Sequence, residues 1–210
     1  VLQFVAKHGD ILLQYVVENG QRIPTGVIEF IPLLKALEYR PEDIDPGEYD
    51  LSISPFNIIM GNQERVFKDV RRFAKDKDIV YHHGIAMSRR GRGYGTSLMK
   101  YALKNTSYVR NRVVVCFPDA AKINEEFGKL QLAPNEDSFT VHLKAGFVLA
   151  GVVDPPVYDE NLTYYSFIRL GEGFVFQGEK EALNLAEGDA QTVLEQVEQI
   201  ILAGYLGVEY

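Results

Sequence analysis

Three glycines in a basic segment carry the strongest chemical signal in this chain. Gly91, Gly93 and Gly95 alternate with Arg92 and Tyr94, and the segment lies between an apolar run and a helix-like run. Glycine has no Cβ, so backbone N–H groups at such a junction can approach a ligand without obstruction by side chains. The dipole of the following helix favours an anion there, and neighbouring arginines add positive charge. The pattern predicts a phosphate-binding turn, with a solvated glycine-rich turn as the alternative.

Two common nucleotide-binding motifs do not fit this segment. A Walker loop requires Gly-x-x-x-x-Gly-Lys-Ser/Thr, and no lysine follows Gly95. A dinucleotide-binding turn requires Gly-x-Gly-x-x-Gly, whereas the glycines here are spaced Gly-x-Gly-x-Gly. The sequence therefore argues against a site for Mg-triphosphate and fits a dinucleotide site poorly.

Hydrophobic periodicity places the turn within a series of strands and helices. Strands are predicted over residues 11–17, 27–34, 79–87, 112–117, 147–153 and 162–170, and helices over residues 63–75, 96–104, 137–145 and 189–203. Asn19-Gly20 predicts an antiparallel hairpin between the first two strands. The strand-helix-strand order around the glycines favours parallel pairing of its two strands. Residues 40–50 are predicted as a surface loop and residues 118–134 as a polar excursion.

The glycine segment resembles the signature of the GNAT superfamily of acyl-CoA-dependent N-acyltransferases, Arg/Gln-x-x-Gly-x-Gly/Ala. Arg90, Gly93 and Gly95 stand at the matching positions. A second pattern of the family, Asn-x-x-Ala/Ser followed by Tyr and then Gly-Phe, is matched by Asn135, Ser138, His142 and Gly146-Phe147, with histidine in place of the usual tyrosine. The resemblance covers roughly residues 10–170.

The resemblance implies an α+β fold with a central mixed, mostly antiparallel sheet flanked by helices. A GNAT-like domain is expected over residues 1–175, with insertions at about 35–77 and 118–134. The family's usual first strand and first two helices have no predicted counterpart. Residues 176–210 are expected to form a helical extension, whose amphipathic helix packs on the domain or on a second subunit in a homodimer.

The resemblance also implies how a coenzyme A thioester would bind and react. Ile85, Ala86 and Met87 would pair with the pantetheine arm, and a backbone N–H there would polarise the thioester carbonyl. The pyrophosphate would lie against Arg90, Gly91, Arg92, Gly93, Tyr94, Gly95 and Thr96. Asn135 and Ser138 would contact the cofactor, with Asn135 hydrogen-bonding the pantetheine arm. The amine would attack the thioester directly within a ternary complex.

Histidines are the candidates for proton transfer in this reaction. The resemblance implies that His142 protonates the departing thiolate, which requires a populated imidazolium, and an ordinary imidazole pKa near ~6.5 would allow it. The alternative is a partly exposed helix histidine without a role. His82 and His83 are adjacent on a strand and so point to opposite faces. We take His83 as the candidate general base, with Asp78 and Glu29 as substitutes.

Composition narrows the other possibilities. The chain has 210 residues and a net charge of −7, which argues against a nucleic-acid partner. The single cysteine, Cys116, excludes an intramolecular disulfide, suits a cytoplasmic location and is expected in the core rather than as a nucleophile. No apolar run reaches the length of a membrane helix, and no residues stand at metal-ligand spacing.

Tyr164 and Tyr165 are adjacent in the last predicted strand. One of them is expected in the core and the other beside the acceptor.

The resemblance therefore implies an N-acyltransferase that uses acetyl-CoA or another acyl-CoA and acts on a small-molecule or peptidyl amine. Two alternatives remain open. One is a GNAT-like module that binds acyl-CoA without turnover as a sensor or scaffold. The other is an interaction domain with no coenzyme A site.

Overall fold

The computed structural model describes residues 2–39, 70–72, 74–89, 91–118, 121–126, 129–134, 136–153, 164–171, 190–203 and 206. Some features predicted from the sequence fall wholly or mostly outside these ranges. They include Arg90, Asn135, the loop at 40–50, the helix at 63–75, the insertion at about 35–77 and the extension at 176–210. At the end of that predicted helix, Val70–Arg72 is a short 3-10 helix.

The chain begins with a short helix and the predicted hairpin. Helix α1 (Leu2–His8), which the sequence did not predict, precedes strands β1 (Asp10–Glu18) and β2 (Gln21–Pro32). The hairpin is confirmed, since Asn19 and Gly20 have φ of 52° and 78° and the strands pair antiparallel. Positive φ at both central residues is the requirement of a tight hairpin turn that matches the strand twist.

The predicted boundaries of the second strand were wrong at both ends. Strand β2 begins six residues before the predicted start at 27 and ends at Pro32, and the next residues form helix α2 (Leu33–Glu38). The first half of β2, Gln21–Gly26, contains polar residues and glycine, most of which have low strand propensity, so the sequence did not predict a strand there. In the structure this half pairs with β1.

The unit that contains the glycine turn has the predicted order. Strand β3 (Ile79–Met87) leads through the turn to helix α3 (Tyr94–Asn105) and then to β4 (Val113–Cys116), which pairs parallel with β3. The predicted apolar stripe of α3 is buried, and it consists of Leu98, Met99, Ala102 and Leu103. This burial fixes the helix on the sheet and so fixes the direction of its N-terminus.

The predicted polar excursion contains a hairpin of its own. Strands β5 (Ala121–Glu126) and β6 (Lys129–Pro134) form a separate two-stranded antiparallel sheet. Leu130 and Leu132 alternate with other residues at the period of a strand. Because the surrounding residues are mostly polar, no strand was predicted from the sequence in this segment.

The remaining elements follow the sequence prediction closely. They are α4 (Glu136–Lys144), β7 (Val148–Val153), β8 (Tyr164–Arg169) and α5 (Ala190–Leu202). Gly146, with φ of 86°, ends α4 in a left-handed conformation that glycine adopts without strain.

Six strands of the described structure form the main sheet, in the order β1-β2-β3-β4-β8-β7, and among them only β3 and β4 pair parallel. This is the mixed, mostly antiparallel sheet of an α+β fold that the resemblance to the GNAT superfamily implies. One face packs against α1 and α2 through Val5, Leu33 and Ala36. The opposite face packs against α3 and α4, and Val197 of α5 joins that core. Within the described part of the chain, no helix has the length and apolar character to cross a membrane.

Candidate functional site

Strand β3 has one open edge. It pairs with β2 from Val80 to Met87, but its pairing with β4 covers only Ile79–Tyr81. Among the described residues, no strand pairs with the side of β3 that faces β4 from His82 to Met87. We call this side of residues 82–87 the open edge. Backbone N–H and C=O groups on such an edge can pair with an extended ligand.

A β-bulge lies where β3 leaves β4. On β2, Glu29 pairs with Gly84 and Phe30 pairs with His82, so His83 is one extra residue on β3 opposite the Glu29–Phe30 step. A bulge of this kind bends and twists the strand that carries it. The bulge explains how β3 can remain paired with β2 while it separates from β4.

The glycine turn presents an uncapped helix N-terminus. Gly91 and Gly93 have φ of 75° and 72°, and Gly93 is the N-cap of α3, with no side chain to cap it. The first hydrogen bond of the helix joins the Ser97 N–H to the Gly93 carbonyl. The N–H groups of residues 94–96 precede that bond and belong to the orphan donors of a helix start. A Cβ at Gly91 or Gly93 would meet no described atom within 4 Å, so the described structure leaves the space in front of the turn open.

The start of α3 is packed against the end of the open edge. A Cβ at Gly95 would lie 3.4 Å from Val141 Cγ2, 3.6 Å from Met87 Cγ and 4.0 Å from Ile85 Cδ1. These are ordinary van der Waals distances, so the start of α3 lies close to Ile85 and Met87 of β3. The open edge and the N–H groups of residues 94–96 consequently form adjacent parts of one surface.

Of the two arginines that the structure describes near the turn, Arg89 is already paired with a carboxylate. Arg89 Nη1 lies 2.6 Å from Glu18 Oε1 at the end of β1. The hydrogen bond from Arg89 holds the pKa of the Glu18 carboxyl below its usual value, so the two charges largely offset each other. Arg92 is exposed beside the turn. Arg92 is therefore the better placed of these two arginines to meet an anion.

A buried carboxylate lies beside the bulge. Glu29 Oε2 is 3.7 Å from His83 Nε2, and the two side chains are only 10% and 11% exposed. Burial raises the pKa of Glu29 and lowers the pKa of His83 to about 4. The distance would suit an ion pair, but burial opposes both charges. We therefore take His83 to be a neutral imidazole at neutral pH, in contact with a carboxyl group of raised pKa.

His82 points to the opposite face, as the sequence predicted. Its Nδ1–H donates to the Glu29 carbonyl at 3.0 Å, and its ring lies 5.1 Å from that of Phe30. Burial lowers the pKa of His82 to about 3, so the ring is neutral. Glu29 thus contacts His83 through its carboxylate and accepts a hydrogen bond from His82 through its main-chain carbonyl, so both rings lie at the bulge.

His142 is buried and differs from both expectations. It is 3% exposed, it stacks on Phe167 at 5.0 Å, and its Nδ1 lies 2.7 Å from the Ser138 carbonyl. Nδ1–H must donate to that carbonyl, so neutral His142 carries a lone pair on Nε2, which is buried without a hydrogen-bond partner among the described residues. Burial lowers the pKa of His142 to about 4. An imidazolium is therefore scarce near neutral pH, which opposes the acid role that the resemblance implies.

Ser138 lies within the same local cluster. Its side chain is buried, and its hydroxyl is 3.2 Å from His142 Nδ1, one turn further along the same helix. The rings of His82 and Phe147 also lie near His142, at 5.7 Å and 5.3 Å. These contacts place His142 over the sheet where β3 and β4 separate.

The remaining candidates from the sequence are Cys116, the two adjacent tyrosines and possible metal ligands. Cys116 is 2% exposed and burial raises the pKa of its thiol, which confirms a core residue rather than a nucleophile. The side chains of Tyr164 and Tyr165 lie outside the described part of the structure. In the ranges that are described, no group of three or more His, Cys, Asp or Glu side chains could hold a metal ion.

Glu29 is the residue whose importance sequence reasoning underestimated. It appeared there only as a substitute for His83, although it is a single charged residue inside the apolar run Val27–Ile31. A carboxylate at such a position must either be paired or carry a perturbed pKa. That signal was present in the sequence, whereas the bulge that brings it to His83 was not.

Comparison with known proteins finds matches among solved structures. No family model matches the chain, and no curated protein matches it. Two matching solved structures are of AAC(6')-Ib, an aminoglycoside acetyltransferase, one in complex with acetyl-CoA and paromomycin and one with coenzyme A and kanamycin. Each match covers 76% of the present chain, at 14% sequence identity and with a TM-score of 0.39. The chain spans 64% and 66% of those two proteins, less than two-thirds of either.

Proposed function

We propose that this protein is an N-acyltransferase that transfers an acetyl group from acetyl-CoA to a primary amine within a ternary complex. The observation that carries the proposal is the open edge of β3, which ends beside the uncapped start of α3. One part offers hydrogen bonds to an extended arm with amide groups. The other offers main-chain N–H groups and a helix dipole to a diphosphate.

The binding roles follow from these two parts. The pantetheine arm would lie along residues 82–87 and add hydrogen bonds in the manner of a further strand. The diphosphate would lie in the open space before Gly91 and Gly93 and accept from the N–H groups of residues 94–96. Arg92 would supply the nearby positive charge. This arrangement leaves the thioester near the bulge, where Glu29 and His83 lie.

The chemistry requires a free amine and a polarised carbonyl. Glu29, directly or through His83, would take a proton from the ammonium form of the acceptor. The amine nitrogen would then bond to the thioester carbon, the adduct would lose its second N–H proton to solvent as the C–S bond breaks, and the leaving thiolate would take a proton from solvent. A main-chain N–H of the open edge would donate to the carbonyl oxygen as negative charge develops on it.

The raised pKa of Glu29 supports its assignment as the base. A carboxylate with a higher pKa is a stronger base. Its burial also keeps water from competing with the acceptor ammonium for a hydrogen bond to the carboxylate. His83, with a pKa of about 4, is neutral but weakly basic. We therefore propose Glu29 as the proton acceptor and His83 as the group that orients it.

The second candidate function is a module that binds acyl-CoA without turnover. His142 favours it, because the position that the resemblance assigns to an acid holds a buried ring with a pKa of about 4. Such a module would bind the cofactor through the same main-chain groups. Only the fate of the thioester separates the two candidates.

Calorimetry and a thiol assay test the proposal together. The protein is titrated with acetyl-CoA and then incubated with acetyl-CoA and a panel of primary amines while free thiol is followed. Saturable binding with amine-dependent thiol release supports the transferase. Binding without release above background supports the module, and no binding at millimolar acetyl-CoA contradicts both.

A further inference from the structure

Exposed hydrocarbon lies on the face of the sheet that carries Glu29 and His83. Leu13 of β1 is 53% exposed, and it pairs with Val27 of β2, which in turn pairs with Ala86 of β3. Ala86 is exposed and Val27 is half-buried. Paired residues on neighbouring strands point to the same face, so these three side chains form one row, which we call the apolar row.

The register places this row beside Glu29. Ile11 pairs with Glu29 and packs against the core under α1, so both side chains belong to that face of the sheet. Leu13 lies two residues after Ile11, and Val27 lies two residues before Glu29. Side chains two residues apart in a strand share a face at a separation of about 7 Å. The apolar row therefore lies directly beside the row of side chains that contains Glu29.

The face is open beyond α1. Further along β1, Tyr15 and Val17 are 46% and 70% exposed on the same side as Leu13. The other carboxylates of the three strands are Asp10 and Glu18, which alternate to the opposite face. Among the described residues of β1, β2 and β3, this face thus has one carboxylate, and most of the surface near it is hydrocarbon; its other charged residues or histidines are His83 at the bulge and Arg22, which pairs with Val17.

We propose that the acceptor is a primary monoamine with an apolar body, whose nitrogen lies at Glu29 and whose hydrocarbon lies on the apolar row. This inference rests on the proposed function and names the substrate class of the same site. One carboxylate complements one ammonium, and apolar area removed from water favours an alkyl or aryl chain over a hydroxylated one. A polycationic acceptor would find no second carboxylate for its further charges among the described residues of β1, β2 and β3 on this face.

The reaction balances without further reactants. The ammonium of the acceptor gives one proton to Glu29, its nitrogen bonds to the acetyl carbon, and the second N–H proton is lost as the tetrahedral centre collapses. The C–S bond breaks and the sulfur leaves as thiolate, which takes a proton to give the thiol. The products are an N-alkylacetamide and coenzyme A.

Three amines distinguish the inference from the proposed function. The full chain is assayed with acetyl-CoA and n-hexylamine, with 2-(2-aminoethoxy)ethanol, which has a similar length but a polar body, and with kanamycin. We expect kcat/KM for hexylamine to exceed that for the polar amine by at least tenfold, because each methylene fully removed from water is worth about fourfold. Shortening the chain from hexylamine to butylamine should lower kcat/KM.

Two variants localise the effect. Leu13→Gln should reduce kcat/KM for hexylamine by about fivefold and that for the polar amine by a clearly smaller factor, because one side of the hydrocarbon surface is lost. Val17→Gln makes the same kind of change about 14 Å further along β1, beyond the reach of a six-carbon chain, and should leave both values unchanged. Melting temperatures check that both variants fold.

The outcomes separate two kinds of failure. Thiol release with kanamycin or the polar amine at a kcat/KM equal to or above that of hexylamine overturns the acceptor class and leaves the transferase in place. The acceptor class is likewise overturned if Leu13→Gln changes nothing. If none of the three amines causes thiol release, the transferase itself is contradicted, and this inference falls with it.

Discussion

Glu29 Oε2 and His83 Nε2 lie 3.7 Å apart across β2 and β3, at the bulge where β3 turns away from β4. One irregularity of the backbone therefore has two consequences. It frees the edge of β3 that could bind a thioester, and it brings a buried carboxyl group to the same point of the sheet. Substitutions at the bulge and at the glycine turn beside it should consequently have separable effects on turnover and on cofactor binding.

Glu29→Gln should remove the base and keep the shape of the side chain. We expect kcat to fall by about 10²-fold or more, with little change in the affinity for acetyl-CoA. In the wild type, kcat should rise as pH increases through the pKa of Glu29, which burial raises above the ordinary carboxyl value. This rise should be absent in the variant. Glu38→Gln, on α2 with more than half of its side chain exposed, is the matched control.

Gly93→Glu should abolish acetyl-CoA binding. The side chain would project a negative charge into the open space before the α3 N-terminus, where the diphosphate is expected. The matched control is Gly146→Glu, because Gly146 also has a positive φ, of 86°, with open space around it, but it lies at the end of α4. Both variants should lose about 1–2 kcal/mol of stability from backbone strain. Calorimetry that finds equal affinity for acetyl-CoA in both would refute the location of the diphosphate.

His142→Phe tests the departure from the family pattern. The new aromatic ring would keep the stacking on Phe167 and remove a nitrogen that is buried without a hydrogen-bond partner in the described structure. We expect kcat to stay within about threefold of the wild type, since general acid catalysis by His142 would instead predict a loss of about 10²-fold or more. Steady-state kinetics with acetyl-CoA and a reactive amine decides between these values.

Stability should fall as the solution is acidified below pH 6.5. Folding lowers the pKa of His142 and of His83 to about 4 and that of His82 to about 3, so the unfolded chain binds more protons between those values and 6.5. Each of these histidines then costs about 2 kcal/mol at pH 5, and nothing well above pH 6.5. The raised pKa of Glu29 acts in the opposite direction over the lower part of this range.

Urea unfolding between pH 8 and pH 5 measures this dependence. His142→Phe removes one of the titrating groups, so its stability should decrease less over the same range. An identical pH dependence in the wild type and the variant would show that His142 does not titrate as its burial implies. Fluorescence or circular dichroism suffices as the readout.

Much of the fold could be predicted from local patterns. The apolar run Ile79–Met87 and the stripe on α3 have the periods of a buried strand and an amphipathic helix, and both elements formed where expected. Asn19-Gly20 correctly predicted the turn between β1 and β2, because these two residues tolerate the positive φ angles that the turn requires. In contrast, the hairpin of β5 and β6 was missed because polar residues surround its alternating pattern.

The site could be predicted only in part, because its geometry depends on strand pairing as well as on local sequence. Gly93 marked the helix start correctly as a place without side-chain obstruction. The burial of His142 depends on Phe147 and Phe167, which come from two other parts of the chain, so no local pattern reveals it. The contact of Glu29 with His83 likewise requires the register of β2 and β3 and the bulge within it.

Hydrogen exchange of the backbone amides tests the proposed cofactor site most directly, because it measures the groups that are proposed to bind acetyl-CoA. Exchange is compared by mass spectrometry with and without saturating acetyl-CoA, on overlapping peptides. We predict slower exchange over residues 82–87 and 93–97 and little change in β1 and β7. Saturable binding of acetyl-CoA with unchanged exchange in both of those segments would contradict the site.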